Sequence, residues 1–571
     1  MDGPTAAART FRPFSLLLGL GEREARSLLS GLHHRGWLES TQAESPDLEP
    51  GRSYALSRQG AQALAAALGL APQKLELAFP TAETELAQRL GRIEIMVGVN
   101  RFVAELAAAL DREEAVELED LRALPSRRPS WAWWPADVQA YGCLRAGEIV
   151  APFFIAWDRA GAPTAHRRKR VASWSRFRDS EQPWGHDGIP SILIVCPSEK
   201  ETLEWEQAVL ASADRRSSKP LPVLLTEVDA VFAADPLEEV WRRAGDLQES
   251  SLTDLLAWRW SMPPEPVNPG FIGPLPPPDQ ITLPQTTGST MVGQPTTGAT
   301  EKRLLDTLGA HPLLTNDELA ALLRMRGDAT RRVLARLVDR GLIGLVEKQA
   351  EGDSGILPCY FLTGGGLELL AARDGVPPRL YLRHSAVAAS VSGWKGSGRF
   401  QTLLRQFEHT VGVNRFFVRL VADIRGCRGE VVRWLSASEA SQTFGSTGGI
   451  RWLRPDGAAD VLLGRRRARL YLEWDRGTMR LPEMKEKCCQ YAHYFALLAQ
   501  TGAASLPDLL LVTTTPERER GIWEVLDEAL HDAGRHQVSF LTSVESLVDR
   551  QGPLGPVWCD SAGSARRPWP C

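Results

Sequence analysis

Three acidic residues and a lysine crowd one stretch of the second half of the chain, WLRPDGAADVLLGRRRARLYLEWDRGTMRLPEMKEKCCQYAHYF. ADVLL and ARLYLEWD alternate as two antiparallel strands turned at GRRR, with Asp456 just ahead of the first and Glu473 and Asp475 on the second. Side chains two apart on a strand point to one face, roughly 7 Å apart. Like charges repel, so gathered carboxylates need a counter-charge. Mg2+ would supply it, because it takes one or two carboxylates together with phosphate oxygens and water. It would activate water and stabilise charge on a phosphoryl group. Asp456, Glu473 and Asp475 are therefore the candidate metal ligands, with Asp460 competing for the first position. Pro482 suits the opening of a helix, on which Lys487 and Tyr491 share a face aimed back at the carboxylates. Lys487 completes the candidate catalytic set Asp456, Glu473, Asp475 and Lys487. PDLLLVTTT adds a buried apolar strand of the kind found in a sheet covered by helices.

The elements that position these residues occur twice. VGVNRF at 97–102 returns at 411–416, an offset of 411 − 97 = 314. WDR at 157–159 returns at 474–476, and SILIV at 191–195 corresponds to DLLLV at 508–512, both 317 later. Pro236, Leu237 and Trp241 reappear as Pro553, Leu554 and Trp558, while RGWL at 35–38 corresponds to RGLI at 340–343, 305 later. Drift of this size is what loop insertions produce. The Pro-, Gly- and Thr-rich stretch 262–300 carries no apolar period and reads as a linker between two copies of a two-domain unit.

Upstream of the second acidic stretch, residues 301–380 divide into three short helices, a hairpin and a last helix. Thr315 and Glu318 form a capping box. Val333, Leu334, Leu337 and Val338 line one face of the third helix, and Arg331, Arg332 and Arg336 the other. Three helices with a β-wing make a winged helix-turn-helix, whose third helix usually enters the DNA major groove. The three arginines are the candidate DNA contacts, and their phosphate neutralisation would make binding fall steeply with salt.

The order strand-PD, strand-ExD, helix-Lys, strand resembles the PD-(D/E)xK nuclease-like superfamily. More narrowly, the winged helix followed by RPDG…LEWDRGT…K…Y is similar to the replication-relaxation family of bacterial plasmids and integrative elements, over most of residues 301–558 and more loosely over 10–241. The resemblance gives Asp456 the PD position and Glu473 the (D/E) position. Asp475 stands where the motif has lysine, so that Lys487, or Lys485, would bring the positive charge from the helix. The fold class it implies is α/β (α+β), a tandem repeat of a winged helix-turn-helix followed by a restriction-endonuclease-like domain. The domains expected are a degenerate winged helix lacking its first helix at 1–75 and a degenerate nuclease-like domain at 80–260. After the linker at 261–300 come the winged helix at 301–380 and the nuclease-like domain at 395–560. The implied function is DNA binding in replication, relaxation or transfer of a mobile element, with double-stranded DNA and the element's replication or transfer proteins as partners. Nicking of DNA with Mg2+ as cofactor is one expected activity, and a non-enzymatic regulator with an inactive nuclease fold is the alternative.

The first copy reads as degenerate. Thr10, Phe14, Leu17 and Leu18 take the places of Thr315, Leu319, Leu322 and Leu323, and the opening helix would fall before Met1. Arg26 stands for Arg331, but Ser27 and Gly31 replace Arg332 and Arg336. Asp137 and Asp158 are kept, whereas Ala156 replaces Glu473, Arg170 replaces Lys487 and Trp174 replaces Tyr491. Loss of acid with a gain of Arg167, Arg168, Lys169 and Arg170 suits phosphate binding without cleavage.

Bulk properties bound these readings. A chain of 571 residues with formal net charge −4 forms several domains and has no global basic field, so any nucleic-acid site is a local patch. Eight cysteines without a C-x-x-C pair argue against a disulfide framework or zinc site and for the cytoplasm. FSLLLGLG is too short to span a bilayer, so no membrane is expected. No G-x-x-x-x-G-K-[ST] loop is present, which excludes a P-loop ATPase, and no H-x-H cluster favours a nicking relaxase.

Overall fold

The computed structural model describes residues 13, 16, 20–43, 51–67, 92–113, 115–124, 133–180, 184, 188–246, 248–259, 297–349, 356–374, 376, 378, 381–382, 389–390, 397–446, 449–464, 466–500, 506–533, 539–561 and 564–570. Residues 261–296 of the linker, and all but two of residues 10–18, lie outside them. The chain divides into one unit of Met1–Arg303 with Glu368–Tyr381 and another of Leu304–Leu367 with Leu382–Cys571. Helices and mixed sheets in both make the fold α+β.

The first unit begins with helix α1 (Glu22–His34), the hairpin β1 (Leu38–Ala43) and β2 (Gly51–Leu56), and helix α2 (Arg58–Ala67). Acidic Glu22 and Glu24 at the start of α1 and His33 and His34 at its end suit the helix dipole. Gly36, at φ 74°, makes the turn into the hairpin. Ser57 ties the turn down: its hydroxyl donates to the Gly36 carbonyl at 2.6 Å and accepts from the Gly60 N–H at 2.9 Å.

In the second unit, α6 (Ala299–Ala310, its first residues in the first unit), α7 (Asn316–Leu323) and α8 (Gly327–Asp339) precede the hairpin β9 (Ile343–Gln349) and β10 (Ile356–Thr363). Helix α9 (Gly364–Arg373) follows, its residues from Glu368 onward belonging to the first unit. The capping box at α7 forms, with Thr315 accepting from the Glu318 N–H and Glu318 from the Thr315 N–H. The knot of the first unit recurs: Thr363 donates its hydroxyl to the Gly341 carbonyl at 2.5 Å and accepts from the Gly366 N–H at 3.3 Å. Arg331, Arg332 and Arg336 stand exposed on α8, opposite the buried Val333, Leu334 and Leu337.

Each unit also holds a sheet with one pairing scheme. In the first, α3 (Ile93–Leu110) precedes the order β3-β4-β5-β6-β7-β8: β3 (Glu117–Ala123), β4 (Ala140–Ala146) and β5 (Ile149–Trp157) are antiparallel, and β6 (Ser191–Cys196) and β7 (Val223–Glu227) run parallel to β5, ahead of β8 (Arg242–Arg243). Helices α4 (Thr164–Arg178) and α5 (Glu199–Arg216) connect the parallel strands. In the second, β11 (Ala389–Ser390) pairs with β10, and α10 (Phe407–Gly426) precedes β12 (Glu430–Ser436) and an inserted hairpin, β13 (Gln442–Ser446) with β14 (Gly449–Leu453). There β15 (Gly457–Leu463) and β16 (Arg466–Trp474) are antiparallel, and β17 (Asp508–Thr513) and β18 (Ser539–Val544) are parallel to β16, in the order β12-β15-β16-β17-β18. Helices α11 (Leu481–Gln500) and α12 (Pro516–Ala533) connect them. Phe416, Phe417 and Leu420 of α10 pack on Leu470, Leu472 and Trp474, while Tyr491 and Trp523 of α11 and α12 cover Tyr471, Leu509 and Leu511 on the other face.

The repeated hexapeptide has a packing reason. Gly98 lies against the Trp157 indole and Gly412 against Trp474; a methyl at either would stand 2.2 or 2.4 Å from the ring. One turn on, Phe102 meets the edge of Trp241 at 5.8 Å and Phe416 that of Trp558 at 6.3 Å. These tryptophans donate to the Pro236 and Pro553 carbonyls at 2.8 and 2.7 Å. Asn414 further donates to the Pro312 carbonyl at 2.7 Å, whereas Asn100 is exposed. Among the described residues no helix is long and apolar enough to cross a membrane.

Candidate functional site

Glu473 is the last buried acid before the end of β16, on the face covered by α11. Lys487 donates its ammonium to one oxygen of the Glu473 carboxylate, and Tyr491 donates its hydroxyl to the other at 2.5 Å. Helical spacing of four puts both donors on one face of α11, so a local pattern produces this contact. Burial pushes the Glu473 pKa up to about 8, with Asp456 adding to the rise and the Lys487 charge opposing it. Burial alone would lower Lys487, but Glu473 and Asp456 hold it above its ordinary value. Desolvation beside an acid also raises Tyr491.

Asp456 belongs to the same electrostatic group from the end of the neighbouring strand. One of its oxygens accepts the Trp474 N–H at 2.7 Å and the other lies 3.2 Å from His409 Nε2 on α10. Burial would raise its pKa; the His409 hydrogen bond and the Lys487 charge bring it below the ordinary carboxylate range.

Asp475 has other partners. It accepts from the Thr513 hydroxyl at 2.8 Å and from Arg518 Nε at 2.8 Å, the arginine also reaching the Met479 carbonyl. Asp460 pairs with Arg469 at 2.5 Å and Arg433 at 3.4 Å across the strands.

In these contacts the three carboxylates do not converge on one point. Mg2+ requires free oxygens directed at one point in near-octahedral geometry. Both Glu473 oxygens are taken by Lys487 and Tyr491, Asp475 is turned to Arg518, and Asp456 is held by Trp474 and His409. Among the described residues no group of three or more His, Cys, Asp and Glu is placed to hold a metal. The ammonium of Lys487 occupies the role given to the cation: it lets Asp456 and Glu473 lie near each other.

The first unit holds a strand pair with comparable bonds and no acid at the matching place. The Trp157 N–H donates to Gln139 Oε1 at 2.9 Å, as Trp474 donates to Asp456. The Gln139 N–H bonds the Ile155 carbonyl and that of Asp456 the Leu472 carbonyl, again 317 apart. Gln139, rather than Asp137, makes in the first unit the bonds that Asp456 makes in the second. Ala156, 317 residues before Glu473, lies in one core cluster with Trp174, which stacks on Trp205 at 5.3 Å, with the Arg170 guanidinium 5.3 and 5.0 Å from the two rings. Arg167 is buried, donating to Asp158 at 2.7 Å and Glu204 at 2.5 Å. Of the four cations read as a phosphate patch, only Arg168 and Lys169 are exposed.

Sequence reasoning missed His409 and Arg518. His409 lies three residues before Gly412, the glycine seated on Trp474, and a helical reading of that face would have placed it near the strand end. Arg518 sits in the first turn of α12, with no local signal linking it to Asp475.

Residues 305–509 match the family described as Replication-relaxation, a span from α6 to the start of β17 that contains Asp456, Glu473, Asp475 and Lys487. No curated protein and no solved structure matches the chain.

Proposed function

We propose that the chain is a DNA-binding protein acting in replication or relaxation of a plasmid or integrative element, and that it arose as two copies of a winged helix joined to a nuclease-like domain. The observation that carries the DNA reading is the exposed Arg331, Arg332 and Arg336 on the third of three helices preceding a hairpin, within the family match. These arginines take phosphates of double-stranded DNA. The nuclease-like domain holds its Asp456–Glu473–Lys487–Tyr491 group in a closed, internally compensated state, which favours a binding role as a replication accessory factor. Replication or transfer proteins of the element are the natural partners, and the cytoplasm the natural location.

A second reading, DNA nicking by the same domain, is favoured by the electrostatic coupling of Asp456, Glu473 and Lys487 at adjacent strand ends. Incubating the protein with supercoiled plasmid, with Mg2+ or with EDTA and beside Glu473→Ala, separates the two. A salt-sensitive gel shift without nicking supports the accessory factor. Nicking that Glu473→Ala abolishes supports the enzyme. Absence of both refutes the DNA reading.

A further inference from the structure

The inserted hairpin β13–β14 carries a feature that the binding helix and the acidic group do not use. Its inner face is anchored: Phe444 and Leu453 are buried with Tyr491 and Phe495 of α11, and Phe444 lies 5.4 Å from the Tyr494 ring. Strand alternation then turns Trp452 outward, paired with Thr443 across the hairpin. Trp452 is 56% exposed, the most exposed large apolar side chain among the described residues. The Arg454 guanidinium stands 5.5 Å from its ring centroid, and Arg451 and Arg454 are both exposed. No acid occurs between residues 440 and 455, and two residues beyond Arg454 the chain reaches Asp456.

An exposed indole with one guanidinium beside its ring matches one occupant best. Aromatic rings stack any nucleobase by its π-face, and arginines neutralise the phosphates on either side. A base within an intact duplex is already stacked on its neighbours. We infer that the β13–β14 hairpin is a stacking platform for an unpaired DNA base, with Trp452 taking the base and Arg454 a flanking phosphate. This rests on the DNA reading above and adds the form of DNA engaged: single-stranded or locally opened, beside Asp456 and Lys487.

The test uses the full chain with a short single-stranded oligonucleotide carrying 2-aminopurine, and with an intact duplex of the same sequence. Wild type should quench 2-aminopurine on binding the single strand. Trp452→Ala should bind it about five- to a hundredfold more weakly, without quenching, and Trp452→Phe should keep most of both. Arg454→Ala should weaken single-strand binding and flatten its salt dependence, with duplex binding unchanged. Because Trp452 is exposed, an unchanged melting temperature verifies the fold of each variant. Wild-type affinity and quenching in Trp452→Ala would overturn the inference. So would a wild type that binds the duplex but no single strand, which leaves the DNA reading standing. A wild type that binds neither form sinks both.

Discussion

Gly412 lies so close to Trp474 that the smallest side chain would stand 2.4 Å from the indole Nε1, and Gly98 meets Trp157 in the same way. The tryptophans are buried, so neither ring can retreat. Gly412→Ala and Gly98→Ala should each destabilise their unit by about 1–3 kcal/mol or more through overpacking. Thermal or urea unfolding measures this, and unchanged midpoints would remove the packing account of the repeated hexapeptide.

Asp456 serves the fold and the electrostatic group through different properties. Asp456→Asn keeps an oxygen for the Trp474 N–H and should melt near wild type. Asp456→Ala leaves that N–H unpaired and should lose about 1–3 kcal/mol. If the domain nicks DNA, both variants lose nicking, because both lose the charge. Equal melting temperatures for the two would contradict the structural role.

Arg331, Arg332 and Arg336 are exposed on α8. Their joint replacement by alanine should weaken duplex binding and reduce the slope of log affinity against log salt by about 3, one for each phosphate that an arginine had neutralised. Fluorescence anisotropy at several salt concentrations reads the slope; an unaltered slope would place the duplex elsewhere on the protein.

Within the first unit, buried Glu94 bonds Arg373 through both carboxylate oxygens at 2.9 Å and lies 3.0 Å from Lys302. Burial raises its pKa, but these cations outweigh burial and bring it down from 4.5 to about 2. A carboxylate with a depressed native pKa stabilises the fold above the unfolded value and stops doing so as pH falls through the native one. Glu94→Gln should therefore cost about 3 kcal/mol at neutral pH, and its deficit relative to wild type should shrink between pH 4.5 and pH 2. Unfolding midpoints across that range check it; a deficit independent of pH would show that the charge is not the stabilising element.

Local periods made part of the site readable. Two-residue alternation put Glu473 on the face of β16 that α11 covers, and four-residue spacing put Lys487 and Tyr491 together on α11, because strand and helix geometry act within a few residues. Asp475, one residue past the end of β16, turns to other partners. At the offset of 317, Gln139 makes the backbone and side-chain bonds that Asp456 makes, whereas the sequence reading kept Asp137.

The sequence alone determined local features: the capping box of α7, the apolar face of α8, the hairpin that follows it and the face of α11 shared by Lys487 and Tyr491. Tertiary structure decided which charge each acid answers. Arg518 reaches Asp475 from 43 residues away and His409 reaches Asp456 from another helix, so two acids expected at one site ended with different counter-charges. Periodicity specifies a direction from the backbone. What stands at the end of that direction depends on how distant helices pack against the sheet.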